Sequence, residues 1–356
     1  MSLNIIIAFF LSITISAFVT YKVIRFSQKL GWGDDPSEKR KIHKKRIPNL
    51  GGFAVFIATM VTYFAFSDYT NTVRPDKLFS ISIFLFFIGV RDDMDGISAR
   101  SRLLFEFICA FFIIYITDIR MTTLWGIFGV SQISIFTSYI LTSIFIVGCI
   151  NAYNLIDGID GLLGSLSLLG AICFGLIFNF SGEWLWTLLC VAMSGALLGF
   201  LLYNWSPAKI FMGNGGALFL GTIFACFSLR VMQLLPVNFS EINISMPHTM
   251  AIGIVSIPLM DMLMVSLLRI VRKKPPFSPD NRHIHHVLLD MGLGHRQSTL
   301  LLIMINIIII AFAYFIQDTG ALRSLLFTIA FAFSIELVIR FIARMRIRTR
   351  YKKSIV

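Results

Sequence analysis

Ser134 to Leu162 read SIFTSYILTSIFIVGCINAYNLIDGIDGL. The stretch up to Ile150 carries no charge and is long enough to cross a hydrocarbon core of about 30 Å as a helix. Asn151, Asn154, Asp157 and Asp160 then recur at every third position, a spacing that keeps neighbours on one helix face. Gly158 and Gly161 end or loosen that helix, so the last carboxylates can turn toward a ligand lying close to the backbone. A ladder of amides and acids of this kind suits a hydrated divalent cation together with a polar ligand. The plainer alternative is a capped helix terminus with its aspartates in a turn. Either way, this one stretch sets the expectation of membrane-crossing helices that carry their polar chemistry at their ends.

The rest of the chain extends the pattern. Of 356 residues, 56% are hydrophobic and 14% charged, and mean hydropathy is +0.80, far more apolar residue than one soluble core needs. Apolar stretches near 4–24, 51–67, 77–90, 102–118, 134–151, 162–180, 185–203, 216–235, 249–270, 299–316 and 322–343 predict an all-α, polytopic integral membrane protein with about eleven transmembrane helices. They form one domain, 1–356, with its principal loops near 25–50, 91–101, 152–161, 204–215 and 271–298 and a basic tail at 344–356. If the N-terminus starts outside, alternation places these loops and the tail in the cytoplasm. Lysine and arginine test that placement: 26 of the 31 fall in those segments or at the adjoining span ends, and only Arg74, Lys77, Arg120, Arg230 and Arg323 lie elsewhere. The net charge of +12 follows from this asymmetry and from attraction to anionic lipid headgroups, so nucleic acid is not an expected partner. The five cysteines sit within or at the ends of spans, without a CxxC pair, and read as small buried apolar residues.

Polar clusters collect on the face that alternation makes cytoplasmic. Asp92 and Asp93 follow an apolar run, where two adjacent carboxylates raise each other's pKa unless a cation or Arg91, Arg100 or Arg102 compensates. Gly213, Gly215 and Gly216 allow backbone amides at a helix N-terminus to face an anion, although glycine also serves tight helix packing. Phe211 is placed to stack on a planar base or to anchor at the interface. His283, His285 and His286 beside Arg282 suit phosphate or sugar hydroxyls better than zinc, since no cysteine lies nearby. His248 and His295 read as ordinary loop residues. Asp261 and Glu106 fall inside spans, where an acid either serves function or bonds a neighbouring helix, with Arg102 the expected partner of Glu106.

Together these clusters resemble the polyprenyl-phosphate N-acetylhexosamine-1-phosphate transferase family. The match rests on Asp35-Pro36 with Arg40-Lys41-x-His43 and Gly51-Gly52, on Asp92-Asp93, and on Asn151-x-x-Asn154-x-x-Asp157-Gly-x-Asp160-Gly-Leu162. It continues through Phe211-Met-Gly213, Pro258-x-x-Asp261 and Pro276-Phe-Ser-Pro-Asp280-x-x-His283-x-His285-His286. The resemblance implies a cytoplasmic-face cleft in a bacterial inner-membrane protein whose N-terminus is outside and C-terminus cytoplasmic. It implies transfer of a sugar-1-phosphate from a UDP-N-acetylhexosamine to undecaprenyl phosphate with Mg2+ or Mn2+. UMP is then released, and the lipid-linked pyrophosphoryl sugar starts a surface polysaccharide such as O-antigen. By the same resemblance Asp92 and Asp93 hold or deprotonate the acceptor phosphate. Asp157 joins them at the reacting centre and, with Asn151 and Asn154, lines the nucleotide site. Asp160 and the residue at 214 bind the metal, Phe211 stacks on uracil, and Lys41, His43, Arg282, His283, His285 and His286 contact substrate. The histidine loop looks more like the N-acetylglucosamine branch than the branch acting on UDP-muramoyl-pentapeptide. A non-enzymatic transporter of lipid-linked sugars is the rival from another class, and homodimerisation is left open.

One position departs from the family pattern. Its usual Gly-Asp-x-Gly reads Gly213-Asn214-Gly215-Gly216 here. An amide oxygen still binds Mg2+ but brings no charge, so a weaker hold on the metal is expected.

Overall fold

The apolar stretches fold as helices, because a backbone surrounded by hydrocarbon must satisfy its N–H and C=O groups within its own segment. A computed structural model describes residues 2–30, 47–67, 75–234, 237–238, 243–273 and 282–353. In chain order the helices are α1 (Ser2–Leu30), α2 (Gly51–Phe66), α3 (Asp76–Asp95), α4 (Ala99–Thr117), α5 (Ile135–Ile156), α6 (Leu162–Phe180) and α7 (Trp184–Asn204). They continue as α8 (Gly213–Gln233), α9 (Pro247–Ile254), α10 (Ser256–Val271), α11 (Ile284–Asp290), α12 (His295–Ile316) and α13 (Ala321–Lys353). One small departure from an all-helical chain is an antiparallel ribbon, Val237–Asn238 against Asn243–Ile244.

Among the described residues, α1, α5, α6, α7, α8, α12 and α13 are each long and apolar enough to cross a membrane. The α9–α10 pair makes an eighth if it counts as one bent span. The chain is thus a multi-pass membrane protein, but the expected count of about eleven is not established. The shortfall has a physical origin. Helix α2 has only 16 residues, and α3 and α4 carry Arg91, Asp92, Asp93, Arg100, Arg102 and Glu106 in or near the turns where they meet.

Helix α8 is enclosed on nearly every side, packed by α2, α3, α5, α6 and α9. Its Phe224 and Phe227 join Phe174, Phe178 and Trp186 in an aromatic cluster with centroid separations of 5.5–6.4 Å. Helix α1 rides along α7, where Ser12 and Ser16 donate to the carbonyls of Ala192 and Ala196 at 2.5 and 2.6 Å.

The predicted span 249–270 is broken by 72° between α9 and α10. Pro258 has no N–H to give the carbonyl of Ile254 one helical turn earlier. Asn306 of α12 supplies the missing donor, its Nδ2 lying 3.1 Å from that carbonyl, and Ser256 donates to Asn306 Oδ1 at 3.1 Å. A neighbouring helix therefore carries the hydrogen bond that proline removed.

Candidate active site at the polar end of the bundle

Helices α3, α5 and α7 enter one end of the bundle by their C-termini, and α2, α4, α6, α8 and α12 leave it by their N-termini. Hydrogen bonds between their ends show that the ends meet. Gly51 and Gly52 donate to the carbonyls of Phe211 and Met212 at 2.9 and 2.8 Å, and Phe211 donates to Pro48 at 2.7 Å. These bonds tie the start of α2 to the segment leading into α8.

The last turn of α3 carries the paired acids, both half-buried. Asp93 accepts from the backbone N–H of Asn214 at 3.1 Å and of Gly215 at 3.4 Å. The glycine-rich start of α8 thus does face an anion, and that anion is the protein's own carboxylate at the positive end of the helix dipole. Gly213 sits at φ 76°, and a Cβ there would stand 1.8 Å from the carbonyl oxygen of Asn49, so only glycine fits this entry turn. Asp92 accepts from Ile97 N–H at 2.7 Å, from Arg102 at 3.3 Å and from the Asn214 side-chain amide at 3.1 Å. Arg102 also pairs with Glu106, whose other oxygen accepts from Asn151 Nδ2. A connected chain therefore runs from Asn151 through Glu106, Arg102 and Asp92 to Asn214. Asn151 meets this chain from beneath, whereas Asn154 stays half-buried on the last turn of α5.

Asp157 ends α5. Burial pushes its carboxyl up to about 7, and the negative charge of Asp93 adds to the rise. Asp160 behaves oppositely. Burial alone would raise it, but hydrogen bonds with His295 and the Ala208 N–H outweigh burial and hold it below the usual carboxylate range. Its Oδ2 lies 3.1 Å from Ala208 N and its Oδ1 3.2 Å from His295 Nδ1, while its carbonyl accepts from Thr299. His295, expected to be an ordinary loop residue, is therefore what joins α12 to the acid ladder.

Gly158 lies against the histidine segment. A Cβ there would fall 2.0 Å from His285 Nε2, so the loop carrying Asp157 and the ring of His285 fit only because position 158 has no side chain. His283 and His285 stack with centroids 5.8 Å apart, and His285 and His286 lie at 4.2 Å. Burial, then the adjacent imidazoles, hold His285 well below the usual histidine pKa, so it is neutral at physiological pH. Arg282, His286 and Phe211 are half-buried at the same end. Asp261 points outward from α10 to this segment: its Oδ2 lies 2.8 Å from His283 Nδ1, and its Oδ1 accepts from Ile284 N–H at 2.7 Å. Lys41 and His43 lie outside the described residues.

Among the described residues no three His, Cys, Asp or Glu side chains converge to hold a metal ion unaided. What does converge is a pair of carboxylates, Asp93 and Asp157, in electrostatic contact, with the Asn214 amide beside Asp92. A carboxyl raised by burial and further by a neighbouring anion either keeps its proton or meets a cation. That donor set fits a hard divalent ion completing its shell with phosphate oxygens and water, and does not fit a closed zinc cage. Asp160 has one carboxylate oxygen near Ala208 N and the other near His295, as Asp93 has each of its oxygens on an α8 amide, and each of these oxygens keeps a lone pair.

Residues 77–232, from α3 to α8, match the sequence pattern described as glycosyl transferase family 4. The chain is 34% identical over 86% of its length to a probable undecaprenyl-phosphate N-acetylglucosaminyl 1-phosphate transferase of Bacillus subtilis strain 168, covering 83% of that protein. It is 32% identical to undecaprenyl-phosphate alpha-N-acetylglucosaminyl 1-phosphate transferases of Salmonella typhi and Escherichia coli K12. Those alignments cover 85% and 83% of this chain and 80% and 79% of the relatives.

Proposed function

The chain belongs to glycosyl transferase family 4, and from that membership we propose that it transfers N-acetylglucosamine-1-phosphate from its UDP-sugar to undecaprenyl phosphate. The reaction takes place at the cytoplasmic face of the bacterial inner membrane. The relatives' names support the acceptor lipid and the sugar phosphate. The observation that carries the reading is the meeting of Asp92, Asp93 and Asp157 with Arg102 and the histidine segment at one end of the bundle.

An oxygen of the lipid phosphate attacks the sugar-bearing phosphorus of the donor. The bond from that phosphorus to the bridging oxygen breaks, UMP leaves with the bridging oxygen, and a lipid-linked pyrophosphoryl sugar remains. Such a displacement needs positioning and charge compensation more than covalent help. The lipid phosphate is already largely ionised at neutral pH, so Asp92 and Asp93 serve to place it and need not deprotonate it. Asp93 is fixed by two amides of α8, and Asp92 by Ile97, Arg102 and Asn214, so neither has to reorganise during the reaction. A bound Mg2+ or Mn2+ supplies the positive charge that lets two phosphates and these carboxylates share one pocket. Asp93, Asp157, Asp160 and the Asn214 amide oxygen are the groups that would hold it. Neutral His285 donates or accepts a hydrogen bond at the donor, whereas Arg282 brings charge, and Phe211 offers a face to uracil. The product would prime a surface polysaccharide such as O-antigen.

The test is purified protein with undecaprenyl phosphate, Mg2+ and a panel of labelled UDP-sugars. UDP-N-acetylglucosamine is expected to give labelled lipid. Labelling from UDP-muramoyl-pentapeptide instead would move the chain to the peptidoglycan branch, and labelling from none would leave a carrier of lipid-linked sugars.

A further inference from the structure

The last helix, which lies outside the motifs quoted above, reaches into the histidine segment. Arg340 of α13 donates from Nη1 to the carbonyl of Arg282 at 2.6 Å, and its Nη2 lies 3.3 Å from Asp261 Oδ1. Its Nε donates to Glu336, one turn earlier, at 2.9 Å, and Nη2 bonds the same carboxylate oxygen. Asp261 in turn holds His283 Nδ1 and the Ile284 N–H with its two oxygens. Arg340, Glu336, Asp261 and His283 are all buried, at 7, 3, 2 and 4% exposure.

Burying three charged groups in a bundle is costly, and well-packed apolar residues of similar volume would stabilise the helix contact at least as well. What the charges supply is geometry. One planar guanidinium fixes the backbone at residue 282 directly and the backbone and imidazole at 283–284 through Asp261. Lysine offers a single point charge and cannot span the three acceptors at once.

We propose that Arg340, oriented by Glu336, is a positioning residue for donor recognition: acting through Asp261 and the Arg282 carbonyl, it sets the conformation of the Arg282–His286 segment that contacts the nucleotide sugar. This rests on the transferase reading above. Asp92 and Asp93 take the hydrogen bonds described above from Ile97, Arg102 and the start of α8, so disturbing the clamp should affect the donor more than the acceptor.

The experiment compares wild type with Arg340→Lys, Arg340→Met and Glu336→Gln. It measures Kd for UDP-N-acetylglucosamine by calorimetry, KM for donor and acceptor separately, and the melting temperature of the detergent-solubilised protein. Arg340→Lys is expected to weaken donor binding at least about tenfold, the loss that follows removal of one charge-assisted hydrogen bond. Glu336→Gln should weaken it in the same direction by less, and the acceptor KM should stay within about twofold of wild type in both, inside the scatter expected for an uncoupled site. If Arg340→Met fails to fold, Arg340→Lys and Glu336→Gln decide. Unchanged donor affinity in Arg340→Lys, or equal losses for donor and acceptor, would overturn the assignment and leave a structural ion cluster. Failure of wild type to bind the UDP-sugar would instead count against the transferase reading itself.

Discussion

Asn214 shows what one side chain changes. Its Nδ2 donates to Asp92 at 3.1 Å, an interaction that an aspartate in its place has no proton to make. Asn214→Asp would set a third carboxylate beside Asp92 and Asp93, tolerable only with a cation among them. The expected outcome is a protein that melts at a lower temperature than wild type in EDTA, recovers on adding Mg2+, and reaches half-maximal turnover at a lower Mg2+ concentration. Thermal melts and a metal titration check this, and an unchanged metal requirement would remove position 214 from the ligand set. At this scale the sequence was informative where chemistry clusters along the chain. Asp92-Asp93 and the Asn151–Asp160 ladder announced themselves, and Arg102 was found as the partner of Glu106 from a helical spacing of four. The contact between Asp160 and His295 spans 135 positions, and no local spacing encodes it. Arg340 and Glu336 sit inside the apolar run 322–343, where an acid and a base four apart are themselves a signal that hydropathy alone does not register.

At the scale of helices, the break between α9 and α10 bears on the polar end of the bundle, because α10 carries Asp261, which holds the histidine segment. Pro258 opens the break and Asn306 closes it with a single amide. Asn306→Leu would strand the Ile254 carbonyl in an apolar setting, a cost of about 1–3 kcal/mol for one buried acceptor. A lower melting temperature is expected, with a weaker donor affinity as Asp261 loses its fixed direction. A melting temperature equal to wild type would show that the bend satisfies itself. Pro258 was visible in the sequence, yet 249–270 reads as one uninterrupted span, since hydropathy registers apolar length and not direction. The N-terminus of α8 taught a related lesson. Its glycines predicted an anion, and the anion proved to be Asp93 from α3, a pairing across 121 positions.

For the whole molecule, the apolar periods and the basic loops foretold a helical membrane protein with its polar clusters on one face. Seven helices, or eight with the bent pair, qualify as spans by length and composition among the described residues, and α3 and α4 do not because they carry charges in or near the turns where they meet. The same charges that blur the count lie where the helix ends meet. The central claim is that this end of the bundle moves a sugar together with its phosphate. The most direct measurement gives the purified protein undecaprenyl phosphate and a UDP-N-acetylglucosamine labelled with tritium in the sugar and a phosphorus isotope in the β-phosphate. Both labels are expected in the lipid in equal amounts, with unlabelled UMP in the aqueous phase. Tritium alone in the lipid with labelled UDP released, or no label in the lipid at all, would contradict it.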